Sequence, residues 1–274
     1  MTKATADLNA PSSSRNNVIQ LYYENLYRGQ LEDELTIGEA SLYLHKLLKR
    51  IKPTRNMQIV IAPSTIALQP LSLQIDRKKM KLAAQNCCGK DFGAYTGETA
   101  IAQLRGTVNY CIVGHSERRY VFNETDKMIG EKVAACVRSG ITPILCIGET
   151  ESEKRFGETA DVLKDQIRSG LKDVSVEDIK KVIIAYEPVW AISSVKGAKL
   201  AAPDDVEQSI AIIRKYLKRT YGDEAENIPV LFGGSVNPSN AKAYLMIPGV
   251  NGLLIGGASL IADQFSDIIE LAKE

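Results

Sequence analysis

The sequence predicts an α/β protein built as a (β/α)8 barrel, and three observations carry that prediction. Eight short apolar runs, at 18–24, 57–62, 81–86, 109–113, 141–146, 182–187, 229–232 and 252–255, recur with helical stretches between them. Several of these runs are apolar without alternation, as strands of a parallel sheet covered on both faces require. No linker-like stretch divides the chain beyond residue 17. Eight βα units in 274 residues favour a closed barrel over an open doubly wound sheet.

At the N-terminus, residues 1–17 are polar, contain Ser12-Ser13-Ser14 and lack the apolar centre of a signal peptide. They read as a disordered N-terminal extension to a single barrel domain over 18–274. After the first strand, Ile37 to Ile51 places Ala40, Leu44, Leu47, Leu48 and Ile51 on one helical face. Further amphipathic stretches run from Lys127 to Arg138, Asp161 to Leu171, Asp205 to Leu217 and Ser259 to Leu271.

Composition excludes several functions. Lysine plus arginine total 34 against 33 aspartate plus glutamate, so no charge excess argues for nucleic acid or a membrane surface. Any anion must be held locally. No apolar run is long enough to span a bilayer. The five cysteines are odd in number, and no spacing among them fits a metal site. They read as small core residues and reduced thiols of a cytoplasmic protein. With no dinucleotide fingerprint either, no cofactor is expected.

Residues 185–190 read Ala-Tyr-Glu-Pro-Val-Trp after the apolar run Val182-Ile183-Ile184. A carboxylate at Glu187, at the mouth of a buried strand, is costly without work or a partner. Pro188 and Trp190 stiffen the segment after it, and Ser193-Ser194 loosens the chain again. That pattern suits a base beneath a moving lid. A structural carboxylate, salt-bridged at a strand end, is the plain alternative. His115 ends strand four beside Gly114, and the other histidine, His45, reads as a surface or boundary residue of the first helix. Active sites of such barrels sit at the C-terminal strand ends. Gly233-Gly234-Ser235 follows strand seven, and Gly256-Gly257-Ala258-Ser259 follows strand eight and opens the last helix. Those two places commonly hold phosphate. Base, electrophile and anion cradle together suggest proton abstraction next to a carbonyl on a small phosphorylated substrate.

The chain resembles the triosephosphate isomerase family over residues 57–272. The matching motifs are Ala83 to Asn86, Gly93 to Glu98, Gly114 to Arg119, Cys146 to Glu149, Ala185 to Ile192, Gly233 to Val236 and Gly256 to Leu260. That family is itself the standard illustration of a base and a neutral imidazole under a closing loop. The resemblance implies a triose phosphate substrate, with Glu187 as base, His115 as neutral electrophile and Glu117 as a carboxylate beside them. It implies Asn25, Ser193, Ser235, Gly256 and Gly257 at the substrate, beneath a lid spanning Pro188 to Ala198. It further implies a homodimer in which the loop 87–98 docks into a partner. Thr96 would then reach the partner's site, and Glu98 would pair with Arg118 across the interface.

The resemblance fails at strand one. Where the family carries Asn-x-Lys, this chain reads Tyr22-Tyr23-Glu24-Asn25-Leu26-Tyr27-Arg28-Gly29. With Asn25 in register, Tyr27 stands at the lysine position; with Gly29 aligned to the family's glycine instead, Leu26 does; no register supplies a lysine, and Arg28 is the nearest cation. The lid tip Gly-Thr-Gly becomes Ser193-Ser194-Val195, residues 197–202 carry a small insertion, and Phe232 replaces a tyrosine. Two functions are therefore expected as alternatives: an active isomerase, or an impaired barrel that binds phosphate ligands or partners without turnover.

Overall fold

The structure, a computed structural model, describes residues 17–22, 35–52, 57–192 and 198–273, the first six as backbone alone. Eight parallel strands close into a barrel in sequence order. They are β1 (Asn17–Tyr22), β2 (Met57–Ala62), β3 (Lys81–Ala84), β4 (Tyr110–Val113), β5 (Thr142–Ile147), β6 (Ile183–Tyr186), β7 (Val230–Gly234) and β8 (Gly252–Ile255). Closure is made by β1 against β8, with Val18 opposite Gly252 and Leu21 opposite Ile255. Each predicted strand is present, with ends displaced by a few residues at most. The predicted extension falls on residues 1–16, outside the described residues, and on Asn17, which begins β1.

Around the barrel run α1 (Ile37–Arg50), α2 (Thr65–Ser72), α3 (Ser116–Tyr120), α4 (Asp126–Arg138), α5 (Glu151–Arg155), α6 (Thr159–Gly170), α7 (Pro203–Tyr221), α8 (Ala241–Leu245) and α9 (Ala262–Leu271). Local chemistry sets their ends. Thr36 and Glu39 form a reciprocal capping box on α1, a motif that stabilises a helix start by about 1 kcal/mol. Pro203 opens α7 where a missing N–H costs nothing, and Gly222 closes it at φ 61°. Ala40, Leu44, Leu47 and Ile51 are buried as expected, Leu48 packs beside them, and His45 is exposed.

One helix start requires correction. The last helix does not begin at Ser259. Gly257–Leu260 winds as a 3-10 turn, Ile261 is extended, and α9 starts at Ala262. The Tyr43 hydroxyl donates to the Ser259 carbonyl at 2.6 Å and anchors this turn to α1.

The core has two layers. Val60, Ala83, Ile112, Ile144, Ala185 and Leu231 fill the barrel interior with other small and branched residues. Alternate residues of the same strands pack outward against the helices, among them Val113, Leu145, Ile184 and Phe232. This two-residue period decides which side chains reach the mouth of the barrel.

Candidate active site

On β6, Ile183 and Ala185 point inward, while Ile184 and Tyr186 pack outward. Glu187 follows in the inward phase just past the strand, at the C-terminal mouth. Its N–H donates to the Ile147 carbonyl at 2.7 Å, and the residue is 5% exposed. Two glycines clear its space. A Cβ at Gly148 would lie 1.9 Å from the Glu187 carbonyl oxygen, and one at Gly233 would lie 2.6 Å from Glu187 Cγ. Gln166 clamps the Gly148 residue, accepting from its N–H at 2.8 Å and donating to its carbonyl at 3.2 Å. Nothing in the sequence pattern of α6 marked Gln166; only its burial reveals it.

His115 reaches the same mouth by a break in the strand. Gly114 adopts φ 76°, and a Cβ there would crowd Ile129, Arg119 and the Cys146 carbonyl. His115 then caps α3, and its Nδ1 accepts from the Glu117 N–H at 3.4 Å. An accepting Nδ1 assigns the neutral tautomer, with the proton on Nε2. Nε2 stands 3.5 Å from Glu187 Oε1. The second oxygen, Oε2, is buried with no hydrogen-bond partner among the described residues. Arg119 fixes the surroundings by donating to the carbonyls of Gly114 and Cys146 and to Asp126. Glu117 lies where expected, its carboxylate 4.0 Å from His115 Nδ1.

The two glycine pairs leave the sheet side by side, because Gly234 is in register with Ile255. Ser235, Gly256 and Gly257 thus sit on adjacent loops, all half-buried. The 3-10 turn beginning at Gly257 presents early N–H groups that lack acceptors within the turn. Both donors of Ser235 are engaged elsewhere: its N–H and its hydroxyl reach the Ala191 carbonyl at 2.9 and 2.8 Å.

Ala191 belongs to the segment just after the base. Pro188 leads into a 3-10 turn, Val189–Ala191. The Trp190 Nε1–H donates to Glu149 at 2.8 Å, and the Tyr186 hydroxyl reaches both oxygens of that carboxylate at 3.2 Å. Burial pushes the Glu149 carboxyl upward from its ordinary range, and the hydrogen bonds from Trp190 and Tyr186 oppose the shift. The Lys154 ammonium stacks on the Trp190 ring at 3.7 Å. Beyond the tip, Lys199 N–H donates to the Trp190 carbonyl at 3.1 Å, and the Tyr244 hydroxyl donates to the Ala201 carbonyl at 2.8 Å. Tyr244 also packs on Phe232, with ring centroids 4.3 Å apart. Sequence pattern alone assigned no role to Glu149, Lys154 or Tyr244. Thr150-x-x-Glu153, a capping box at the start of α5, marks the spot beside Glu149.

Asn25, Tyr27, Arg28 and Ser193 lie outside the described residues. Thr96 and Glu98 are exposed on the loop after β3, which is closed at its base by Cys88 N–H donating to the Thr99 carbonyl at 2.8 Å. Within the chain, Arg118 bonds Glu124 at 2.7 Å and stacks on Phe122. No helix among the described residues is long and apolar enough to cross a membrane.

A parallel barrel whose mouth holds a buried carboxylate beside a neutral imidazole, next to two glycine-rich loops, defines a (β/α)8 enzyme of the proton-transferring isomerase class. The triosephosphate isomerase family model matches residues 33–272. Relatives named triosephosphate isomerase include one from Chloroherpeton thalassium, 44% identical over 79% of this chain and 85% of the relative. One from Endomicrobium trichonymphae is 37% identical over 90% of this chain and 98% of its own length. One from Thermodesulfovibrio yellowstonii is 39% identical over 86% and 94% respectively. The chain belongs to the triosephosphate isomerase family.

Proposed function

We propose that the protein interconverts dihydroxyacetone phosphate and D-glyceraldehyde 3-phosphate, the triose step of glycolysis and gluconeogenesis, without a cofactor. Glu187 takes the proton from the carbon next to the carbonyl, and the electron pair left behind forms the enediolate. The His115 Nε2–H hydrogen-bonds the carbonyl oxygen as its charge develops. The proton then returns to the neighbouring carbon while protons exchange between the two oxygens. Glu117 flanks the imidazole as a positioning residue. Ser235, Gly256 and Gly257 hold the phosphate, with Asn25 and Ser193 contributing from strand one and the lid. For Ser235 this requires release from the Ala191 carbonyl, which couples phosphate binding to movement at the lid hinge.

The observation that carries this reading is the 3.5 Å approach of His115 Nε2 to Glu187 Oε1, with Nδ1 accepting from the backbone. A base and a proton donor at that separation can serve adjacent atoms of one small substrate. The intact pair favours an active enzyme over an impaired relative. A coupled isomerase assay tests it: Glu187→Asp and His115→Gln should each lower kcat by about 100-fold or more. Background turnover from folded wild-type protein would overturn it. In the same assay, Tyr27→Lys and Arg28→Ala report which strand-one group meets the substrate charge.

The assembly we propose is a cytoplasmic homodimer. Its support is the protruding loop after β3, whose Phe92 is 89% exposed, together with exposed Tyr95, Val121 and Phe122. Thr96 would enter the partner's site, and Glu98 would meet Arg118 across the twofold axis. Sedimentation of wild type and Glu98→Arg tests the contact, and a monomeric wild type would refute it.

A further inference from the structure

We propose that Cys87, Cys111 and Cys136 form a buried three-thiol site that captures a trivalent thiophilic metalloid of the arsenite class. The proposal is independent of the isomerase reading. All three residues are buried, and their Sγ atoms lie within 4.8 Å of one another. Cys87 and Cys136 are 3.7 Å apart, Sγ to Sγ. For bonds of about 2.3 Å, the metal–thiolate length, three sulfurs round one centre stand about 4 Å apart if planar, and closer if pyramidal. The observed triangle is therefore near the size needed before anything binds. Its corners are also held firmly: Cys111 lies within β4, Cys136 within α4, and Cys87 just beyond β3.

Charge bears on the ligand. The cation beside the cluster is Lys132, 5% exposed, whose Nζ is taken by Glu124 and by Asn86. A monovalent or divalent metal on three thiolates would bury net negative charge, and that ammonium is already held by the Glu124 carboxylate, which Arg118 shares. A trivalent metalloid on three thiolates is neutral. The reaction balances without an oxidant or reductant. Arsenous acid and three thiols give three S–As bonds and three waters; each thiol proton leaves with an arsenic-bound hydroxyl, and arsenic stays trivalent. Two residues beyond Cys87 begins a groove between Gly89–Phe92 and α4, the helix that carries Cys136, lined by Glu131 and Ala134. The sulfurs are covered, so capture waits on local opening of that loop from α4 and is slow. Once formed, the bonds tie the end of β3, β4 and α4 together.

The test uses the full-length protein, reduced with a phosphine and incubated with sodium arsenite. Native mass spectrometry should show one arsenic per chain with three hydrogens lost. X-ray absorption at the arsenic edge should show three sulfur neighbours and no oxygen, and Tm should rise. Cys111→Val and Cys136→Val should each release arsenic at least 10-fold faster, with oxygen replacing one sulfur, while Cys88→Ser behaves as wild type. An oxygen in the wild-type shell would overturn the proposal, a reading that holds even if a valine variant fails to fold. Retention undiminished in both folded valine variants would also overturn it. So would failure to bind both in the native protein and in protein refolded with arsenite.

Discussion

Replacing Gly233 with alanine tests whether the placement of Glu187, and not merely its presence, sets the rate. A Cβ at position 233 would lie 2.6 Å from Glu187 Cγ, 3.0 Å from Oε1 and 3.2 Å from Cδ. Ordinary contact begins near 3.4 Å, so the glutamate must retreat by about 0.8 Å. Gly233 is not among the positive-φ glycines, so its backbone accepts alanine and the strain falls on the side chain. The retreat moves Oε1 from its position 3.5 Å from His115 Nε2. Misplacement of about 1 Å at a reacting group costs about 100-fold, or roughly 2.7 kcal/mol of barrier. The expected result is a kcat lower by about that factor, with KM changing far less because Ser235, Gly256 and Gly257, the residues that hold the phosphate, are not substituted. The assay is the coupled isomerase reaction on wild type, Gly233→Ala, Glu187→Ala and the double variant. If the alanine acts through the carboxylate, it costs nothing further once the carboxylate is gone. Wild-type kcat in Gly233→Ala, or a loss undiminished in the Glu187→Ala background, refutes the reasoning.

Other residues give sharper tests of stability. Gly148→Ala sets a Cβ against the backbone of Glu187, where no rotamer can yield, and should cost about 3 kcal/mol or more in urea unfolding. Tyr244→Phe keeps the ring on Phe232 but leaves the buried Ala201 carbonyl without its donor. It should cost about 1–3 kcal/mol, and calorimetry showing an unchanged Tm would deny the hydrogen bond its role. Glu149 gives a pH signature. Burial raises its folded pKa above the ordinary 4.5, so the folded state binds this proton more tightly than the unfolded state does. That contribution is complete below the unfolded value and is lost as pH rises through the folded value. Wild-type stability relative to Glu149→Gln should therefore decline from about pH 4 upward and then level. Urea midpoints read by the fluorescence of Trp190, the chain's one tryptophan, check this, and a difference flat with pH would contradict it.

Much of the fold is legible in the chain because its signals are local. A parallel barrel strand is a short run apolar on both faces, and the runs ending near Ala62, Val113, Ile147 and Ile255 announce themselves without tertiary information. The long helices carry enough turns to show an amphipathic stripe. The helices at 116–120, 151–155 and 241–245 do not, since five residues make little more than one turn. Helix α2 escaped for another reason: Pro70 lies inside it, and its sequence lacks a polar–apolar period. The last helix starts later than its sequence suggests: Ile261 is extended, and Tyr43, far away in the chain, ties down the Ser259 carbonyl.

The sequence by itself determined the barrel and marked Glu187, His115 and the two glycine pairs at its strand ends, because strand phase and strand ends dictate what faces the mouth. Only the tertiary structure decided what surrounds them. Gln166 on the Gly148 residue, Glu149 beneath Trp190 and Tyr244 on Ala201 join residues far apart in the chain. Cys87, Cys111 and Cys136, unremarkable core positions in sequence, converge only when β3, β4 and α4 pack. Hydrogen bonds and thiol contacts act over a few ångströms of space, and folding, not sequence spacing, brings such partners within reach.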